Sequence, residues 1–268
     1  MDPGIVEKIQ KRLDDLQIAE RVAIPLAVES GSRAWGFPSP DSDYDCRFIY
    51  IRRSADYLSP WRKRDVIETP LDEIFDVNGW DLGKALQLLL KGNAVVIEWL
   101  TSPIDYRRDR EFADAFLTLA RETVDRERIA YHYLHLGERH RRAYFSDDKN
   151  VRRKKLFYAL RPAAALRWLR LYPNERIAPM RFQELMAQCD PPAEVAAIVE
   201  ALLVEKSRSS EMGTGPVDPV LAAFIDAEFA SARNSLRPTE RRIEREAIER
   251  AEAFFLAALR CHGPDGVM

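Results

Sequence analysis

The chain has 268 residues, 46% of them apolar, which is enough to bury a real core in one large domain or two of ordinary size. Its 41 basic and 43 acidic side chains leave a formal charge of -2, so no chain-wide field attracts a polyanion and any such site must be local. Cys46, Cys189 and Cys261 are too few and scattered for a disulfide framework or a paired zinc spacing with the four histidines, which favours a reducing, cytoplasmic setting.

The N-terminal "MDPGIVEKIQKRLDDL" lacks the apolar core of a signal peptide, and no stretch approaches about 20 uninterrupted apolar residues, so neither secretion nor membrane insertion is expected. Ile5, Ile9, Leu13 and Leu16 recur at helical spacing and predict an amphipathic helix over residues 5–20. A short strand, "IPLAVES", follows, and Gly31, Gly36, Pro38 and Pro40 punctuate a loop before a strand over residues 44–51. "RDVIETP" and "EIFDVNG" read as two further strands parted by a turn at residues 70–72. "GWDLGKALQLLLKG" predicts a helix from Trp80 to Gly92, and "NAVVIEWLTSP" a short apolar helix or strand. Past Arg107 the pattern turns helical, in long segments that begin with "REFADAFLTLARETVDRERIAYHYLHLGERHRRAYF" and end with "TERRIEREAIERAEAFFLAALR". This predicts an α/β first half, residues 1–105, and an all-helical region over residues 106–268 that supplies the other wall of a cleft. No internal repeat is present, and the tail "CHGPDGVM" is expected to fray.

The chemistry concentrates in "ESGSRAWGFPSPDSDYDCRFIY". Asp43 and Asp45 stand two residues apart on a predicted strand, so their side chains share a face. Two carboxylates held together repel, and a divalent cation relieves that repulsion; magnesium suits such oxygens, completed by water and substrate phosphates. Gly31 permits close backbone approach, Ser32 can donate to a phosphate oxygen, and the neighbouring amides form an anion-binding concavity. The D-x-D alone is equally a polar turn with solvent-facing aspartates; Gly31 and Ser32, ten residues, then the acid pair argue against that. A two-metal transfer needs a third acid. Asp76 in "IFDVN" is the first choice, Glu68 in "DVIET" is the alternative with similar apolar flanks, and Asp81 reads as a first-turn helix acid.

The stretch "GSRAWGFPSPDSDYD" resembles the signature of the DNA polymerase beta type nucleotidyltransferase superfamily. With "RDVIE", "GWDLGKAL" and "LFYALRPAAALRWL" it resembles more closely the predicted nucleotidyltransferases associated with RNA repair, the RlaP family, over most of the chain. The resemblance implies an α/β fold, a polymerase-beta-like nucleotidyltransferase domain with a mixed sheet followed by a helical region. It also implies two magnesium ions and transfer of a nucleoside monophosphate from an NTP such as ATP to an acceptor hydroxyl, with release of pyrophosphate. Carried over position by position, Gly31 and Ser32 would hold the triphosphate, Asp43 and Asp45 would bind both metals, and the third carboxylate would fall on Asp76. An RNA end, tRNA included, is the implied acceptor. Nucleotidylation of a protein or small molecule, and a catalytically idle nucleotide- or RNA-binding module, stay open.

Other side chains carry two readings each. Arg33 either neutralises the triphosphate or is a surface arginine, and Arg47, on the metal face of a regular strand, pairs with a carboxylate or meets phosphate. Residues 139–161 form the one concentrated basic region, nine lysines and arginines against Asp147 and Asp148, interleaved with Tyr144, Phe145, Phe157 and Tyr158 that can stack on bases. Lys154, Lys155, Tyr158 and Arg161 fall within two helical turns on a similar side and would face a nucleotide or single strand; a solvated basic helix is the plain alternative. Pro162 would kink this helix or begin the next. His132, His135 and His140 lack complementary ligands for zinc, and Lys206 and Glu211 flank a loop that reads as a connector. Trp35, Trp80 and Trp99 read as core or interface residues, with Trp35 also a candidate nucleotide contact.

Overall fold

The computed structural model describes residues 1–70, 74–145, 149–209, 212–236 and 242–265. Part of the expected turn at residues 70–72, Asp147, Asp148, Glu211 and the end of the tail therefore lie outside the described residues. Pro3–Glu20 (α1) opens the chain, its first turn capped by the Asp2 carboxylate, which accepts from the Gly4 amide at 2.8 Å. There follow Val22–Glu29 (β1), the single turn Gly31–Ala34 (α2), Tyr44–Arg52 (β2), Ser54–Leu58 (α3), Val66–Glu68 (β3) and Phe75–Asp81 (β4). Leu82–Leu90 (α4), Ala94–Leu100 (α5) and Asp105–Arg108 (β5) complete the α/β part.

The five strands form one mixed sheet in the order β3-β4-β2-β1-β5, with β2 and β4 parallel and the other pairs antiparallel. A register shift in β1 around Pro25 reverses which face successive side chains take. Val22, Ile24 and Ala27 accordingly join Cys46, Phe48 and Tyr50 beneath α1, while Leu26 and Val28 join Ile49 and Ile51 in the larger core on the other face. Asp45 and Arg47 share the parity of Ile49 and Ile51, so they lie on the face that the remaining helices cover.

Those helices are Arg110–Thr123 (α6), Arg126–Tyr144 (α7), Leu156–Leu171 (α8), Phe182–Cys189 (α9), Ala193–Arg208 (α10), Pro219–Ser235 (α11) and Arg245–His262 (α12). Two short strands, Val151–Arg152 (β6) and Thr214–Gly215 (β7), pair beside a 3-10 turn at Arg153–Lys155. α8 is buried nearly all round and is the axis of this half. Pro162 lies inside it without ending it. Its missing N–H would have served the Tyr158 carbonyl, and the His140 ring nitrogen Nδ1 stands 3.0 Å from that oxygen instead.

Several elements differ from the sequence expectation. Trp80 belongs to β4, and α4 starts only after Asp81, whose carboxylate accepts from the Gly83 amide at 2.8 Å. The long segment after Arg107 divides at Asp125, which caps α7 by accepting from the Glu127 and Arg128 amides. β5 was not foreseen; it pairs with β1, so the line between residues 105 and 106 falls within a strand. One apolar cluster runs without a break from Leu26 and Ile49 of the sheet to Leu160, Leu166 and Ile225 of the helices. Among the described residues no helix is long and apolar enough to cross a membrane.

Candidate active site

β1 ends at Glu29 opposite Cys46, which brings the α2 turn alongside the start of β2. Gly31 has φ 63°, and a Cβ built there would stand 2.3 Å from an Asp45 carboxylate oxygen. Glycine is thus required twice, for the backbone angle and for the contact. The Asp45 peptide is held from both sides: its N–H donates to Glu29 Oε1 at 3.1 Å, and its carbonyl accepts from the Ser30 amide at 2.8 Å. Glu29 is fully buried and also accepts from the Tyr106 hydroxyl. Burial pushes its carboxyl up to about 7, with the Asp45 charge adding to the rise and the two hydrogen bonds opposing it. Sequence reading assigned Glu29 no part; its place directly before Ser30 and Gly31 was the available signal.

Asp45 pairs in register with Asp76 on the parallel strand β4. Arg47, two residues along β2, bridges them: Nη2 donates to Asp45 Oδ1 at 3.2 Å and to Asp76 Oδ2 at 2.5 Å, and Nη1 donates to the Asp76 carbonyl at 2.7 Å. Burial raises the Asp45 carboxyl to about 6; the Asp76 and Asp43 charges add to the rise, while Arg47 and Arg33 oppose it. Asp43 lies just ahead of β2 and is exposed. Glu68 stands opposite Asn78 on the edge strand β3 and pairs with Arg64 at the surface, so Asp76 is the acid beside Asp45.

Ser32 donates its hydroxyl to Ser42 at 3.1 Å, joining α2 to the loop that leads into β2. Arg33 departs from the expectation of a freely presented phosphate ligand. It donates to the carbonyls of Ser42 at 2.6 Å and Asp43 at 3.2 Å and lies 3.9 Å over the Tyr44 ring, which locks the loop that carries Asp43.

The opposing wall comes from α8 and the turn before it. Tyr158 is close enough for the Asp45 and Asp43 charges to add to the upward shift that burial gives its phenol, and it lies edge-on to Trp35 at 6.2 Å. Lys155 sits 4.6 Å from the Tyr158 ring and 4.9 Å from that of Tyr144, and Lys154 pairs with Asp41 at 3.0 Å across the cleft. Lys154 and Lys155 are on the 3-10 turn, and the helix begins only at Leu156. Arg161 is not presented to a substrate: it is 3% exposed, pairs with Glu98 of α5 at 2.6 Å and lies 4.7 Å from the Trp35 ring centre. The Glu98 carboxylate compensates the buried guanidinium, which sits on the buried side of α8. Lys206 of α10, read as flanking a connector, is 5% exposed beside Phe37 and Phe157, and its ammonium is lowered by burial and by Lys154, with Asp41 opposing.

Among the described residues no group of three or more His, Cys, Asp or Glu is set as a cation cage, and Arg47 supplies the positive charge between Asp45 and Asp76. The donors nonetheless suit a hard cation. Asp43, Asp45 and Asp76 offer carboxylate oxygens, and the repulsion among them, which adds to the rise that burial gives Asp45, is what a divalent ion relieves. His132 is half-buried and lowered by burial, which fits a packed imidazole.

The sequence model of "RlaP: RNA repair pathway DNA polymerase beta family" matches residues 5–256. The chain is also 40% identical over 223 residues to "Uncharacterized protein YcgL" of Bacillus subtilis (strain 168), a similarity that covers 82% of this chain and 85% of the relative.

Proposed function

From a chain that belongs to the RlaP family, and so to the polymerase beta-like nucleotidyltransferases, we propose a magnesium-dependent transfer of a nucleoside monophosphate from an NTP to the terminal hydroxyl of an RNA, with release of pyrophosphate. One observation carries this reading: Asp45 and Asp76 share a register on adjacent parallel strands, beside a glycine turn that admits no Cβ and within the field of Asp43. Asp43 and Asp45 would hold one magnesium ion, and Asp45 with Asp76 a second. Magnesium, when bound, lowers the pKa of the attacking hydroxyl and neutralises charge on the phosphates.

The chain's own groups do the rest. Gly31 and Ser32 let the triphosphate approach the α2 backbone, with the Ser32 hydroxyl turning from Ser42 to a phosphate oxygen. Lys154, which pairs with Asp41 across the cleft, receives the terminal phosphates. Trp35 and Tyr158 flank the base, and Lys155 stays over the aromatic group. Arg47 bridges Asp45 and Asp76 and would yield one or both carboxylates to a bound cation. Rate enhancement then comes from positioning and preorganised charge, since the displacement leaves little covalent work for the protein.

The test is incubation of the purified protein with each of the labelled triphosphates, magnesium, and RNA ending in a 3'-hydroxyl or a 3'-phosphate. Extension by one or more nucleotides on the 3'-hydroxyl RNA, with pyrophosphate in equal amount, is expected. No product and no magnesium-dependent pyrophosphate with any triphosphate would overturn the proposal.

A further inference from the structure

The far end of the sheet carries a second concentration of positive charge besides residues 139–161. Arg62, Lys63 and Arg64 follow Trp61 in the segment between α3 and β3. Behind them lies a cavity of about 580 Å³ whose lining includes five cations, Arg52, Arg62, Lys63, Arg64 and Lys84, against the three carboxylates Asp56, Asp65 and Asp81. Each of those carboxylates is already engaged: Asp56 by Lys63 and Arg53, Asp65 by Lys84, Asp81 by the Tyr57 hydroxyl and the Gly83 amide. Arg62 has no partner among the described residues, and Arg64 has only the exposed Glu68. Arg52 is 5% exposed, and among the described residues its Nη1 has no hydrogen-bond partner, the nearest carboxylate being Glu20 at 3.8 Å.

The segment is also anchored just after its most exposed residue. The Arg64 carbonyl accepts from Arg52 Nη2 at 3.0 Å and from the Tyr50 hydroxyl at 3.3 Å, while Lys63 and Asp65 are tied by the ion pairs above. Trp61 and Leu58 nevertheless stand 85% exposed. An indole held out in water on an anchored segment, followed directly by Arg62, Lys63 and Arg64, is the composition of a stacking platform for bases with a grip for phosphates. The concave cavity behind it is of the size that takes a small anionic group, which a flat lipid surface does not enter.

We propose that Trp61, Arg62, Arg64 and Lys84, with the cavity that the cations line, form a second binding site for single-stranded nucleic acid, bases on Trp61 and phosphates on the cations. It stands at the opposite end of β2 from Asp45, seven residues or about 23 Å along the strand. A bound strand of several nucleotides spans that distance, so the site holds a nucleic acid at a point remote from the acids.

The probe is a fluorescein-labelled single-stranded 12-mer oligoribonucleotide, followed by anisotropy without NTP or magnesium. It therefore reads binding alone and stands whether or not the acids transfer nucleotide. Trp61→Ala and the double variant Arg62→Ala/Arg64→Ala are each expected to weaken binding tenfold or more, while Trp61→Phe keeps most of it. The double variant should also reduce the slope of log K against log salt by about 1.4, about 0.7 for each lost phosphate contact. Melting curves check that these exposed replacements leave the fold intact. Parent-like binding by both Trp61→Ala and the double variant would overturn the proposal. So would capture of the parent, but not of Trp61→Ala, by phosphatidylglycerol vesicles while the oligonucleotide goes unbound.

Discussion

The two ends of the central sheet hold charge in opposite ways. Where β2 and β4 begin, Asp45, Asp76 and Arg47 are partly buried and bonded to one another, and a fully buried Glu29 lies beneath them. Where those strands end, Arg62 and Arg64 stand in solvent, one without a partner among the described residues and one in a surface pair worth little. Charge forced together in a low dielectric stores interaction energy that a ligand can release, whereas solvated charge mainly attracts and retains. The first arrangement suits chemistry and the second suits binding.

The strongest way to break this contrast is Asp45→Asn. It is expected to cut nucleotide transfer by about a thousandfold, measured by pyrophosphate release, while the melting temperature stays level or rises because a repulsive charge is gone. A large loss of stability instead would make Asp45 a structural acid. Glu98→Ala strips Arg161 of its buried partner behind the same wall and should cost about 3–5 kcal/mol in chemical denaturation. A comparable cost at the exposed arginines would erase the distinction between the two ends.

Arg47→Gln sharpens the comparison further. Without the guanidinium, Asp45 and Asp76 repel uncompensated, so the metal-free protein should lose about 1–3 kcal/mol and gain a larger magnesium-induced rise in melting temperature than the parent. Glu29 predicts a dependence on pH in magnesium-free buffer. Its carboxyl is raised from 4.5 to about 7, so the folded state binds that proton more tightly than the unfolded chain. Its contribution is therefore full below about pH 4.5 and is lost as pH rises through 7, and Glu29→Gln should flatten that decline in a series of melts. The smallest effect belongs to Arg62→Ala, which should change stability by no more than about 0.5 kcal/mol.

Much of the α/β part was legible because its strands alternate or run apolar between clear turn residues, as in "YDCRFIY" and "IFDVN". β5 was not, because Asp105–Arg108 is a charged edge segment that owes its strand to pairing with β1. The break at Asp125 was hidden inside a continuous helical pattern, where one carboxylate closing a new first turn is a weak signal. Periodicity grouped Asp43 with Asp45, while Asp76 was the first choice for the third acid and Glu68 the alternative with similar apolar flanks. Only the parallel register of β2 on β4, a long-range pairing, separates them. Arg161 lies on the buried side of α8 and was misjudged for a related reason: its partner Glu98, 63 positions earlier in the chain, leaves no local trace.

The unbroken apolar cluster from Leu26 to Ile225 has a kinetic meaning. Two walls that share one close-packed interior resist swinging apart, since interiors of this kind resist deformation. Admission and exit of a reactant would then be governed by rotamer changes at Arg47 and Lys154 and by the loop bearing Asp41. Such gating runs on the timescale of side chains and loops, well ahead of the slower swing of hinged lobes.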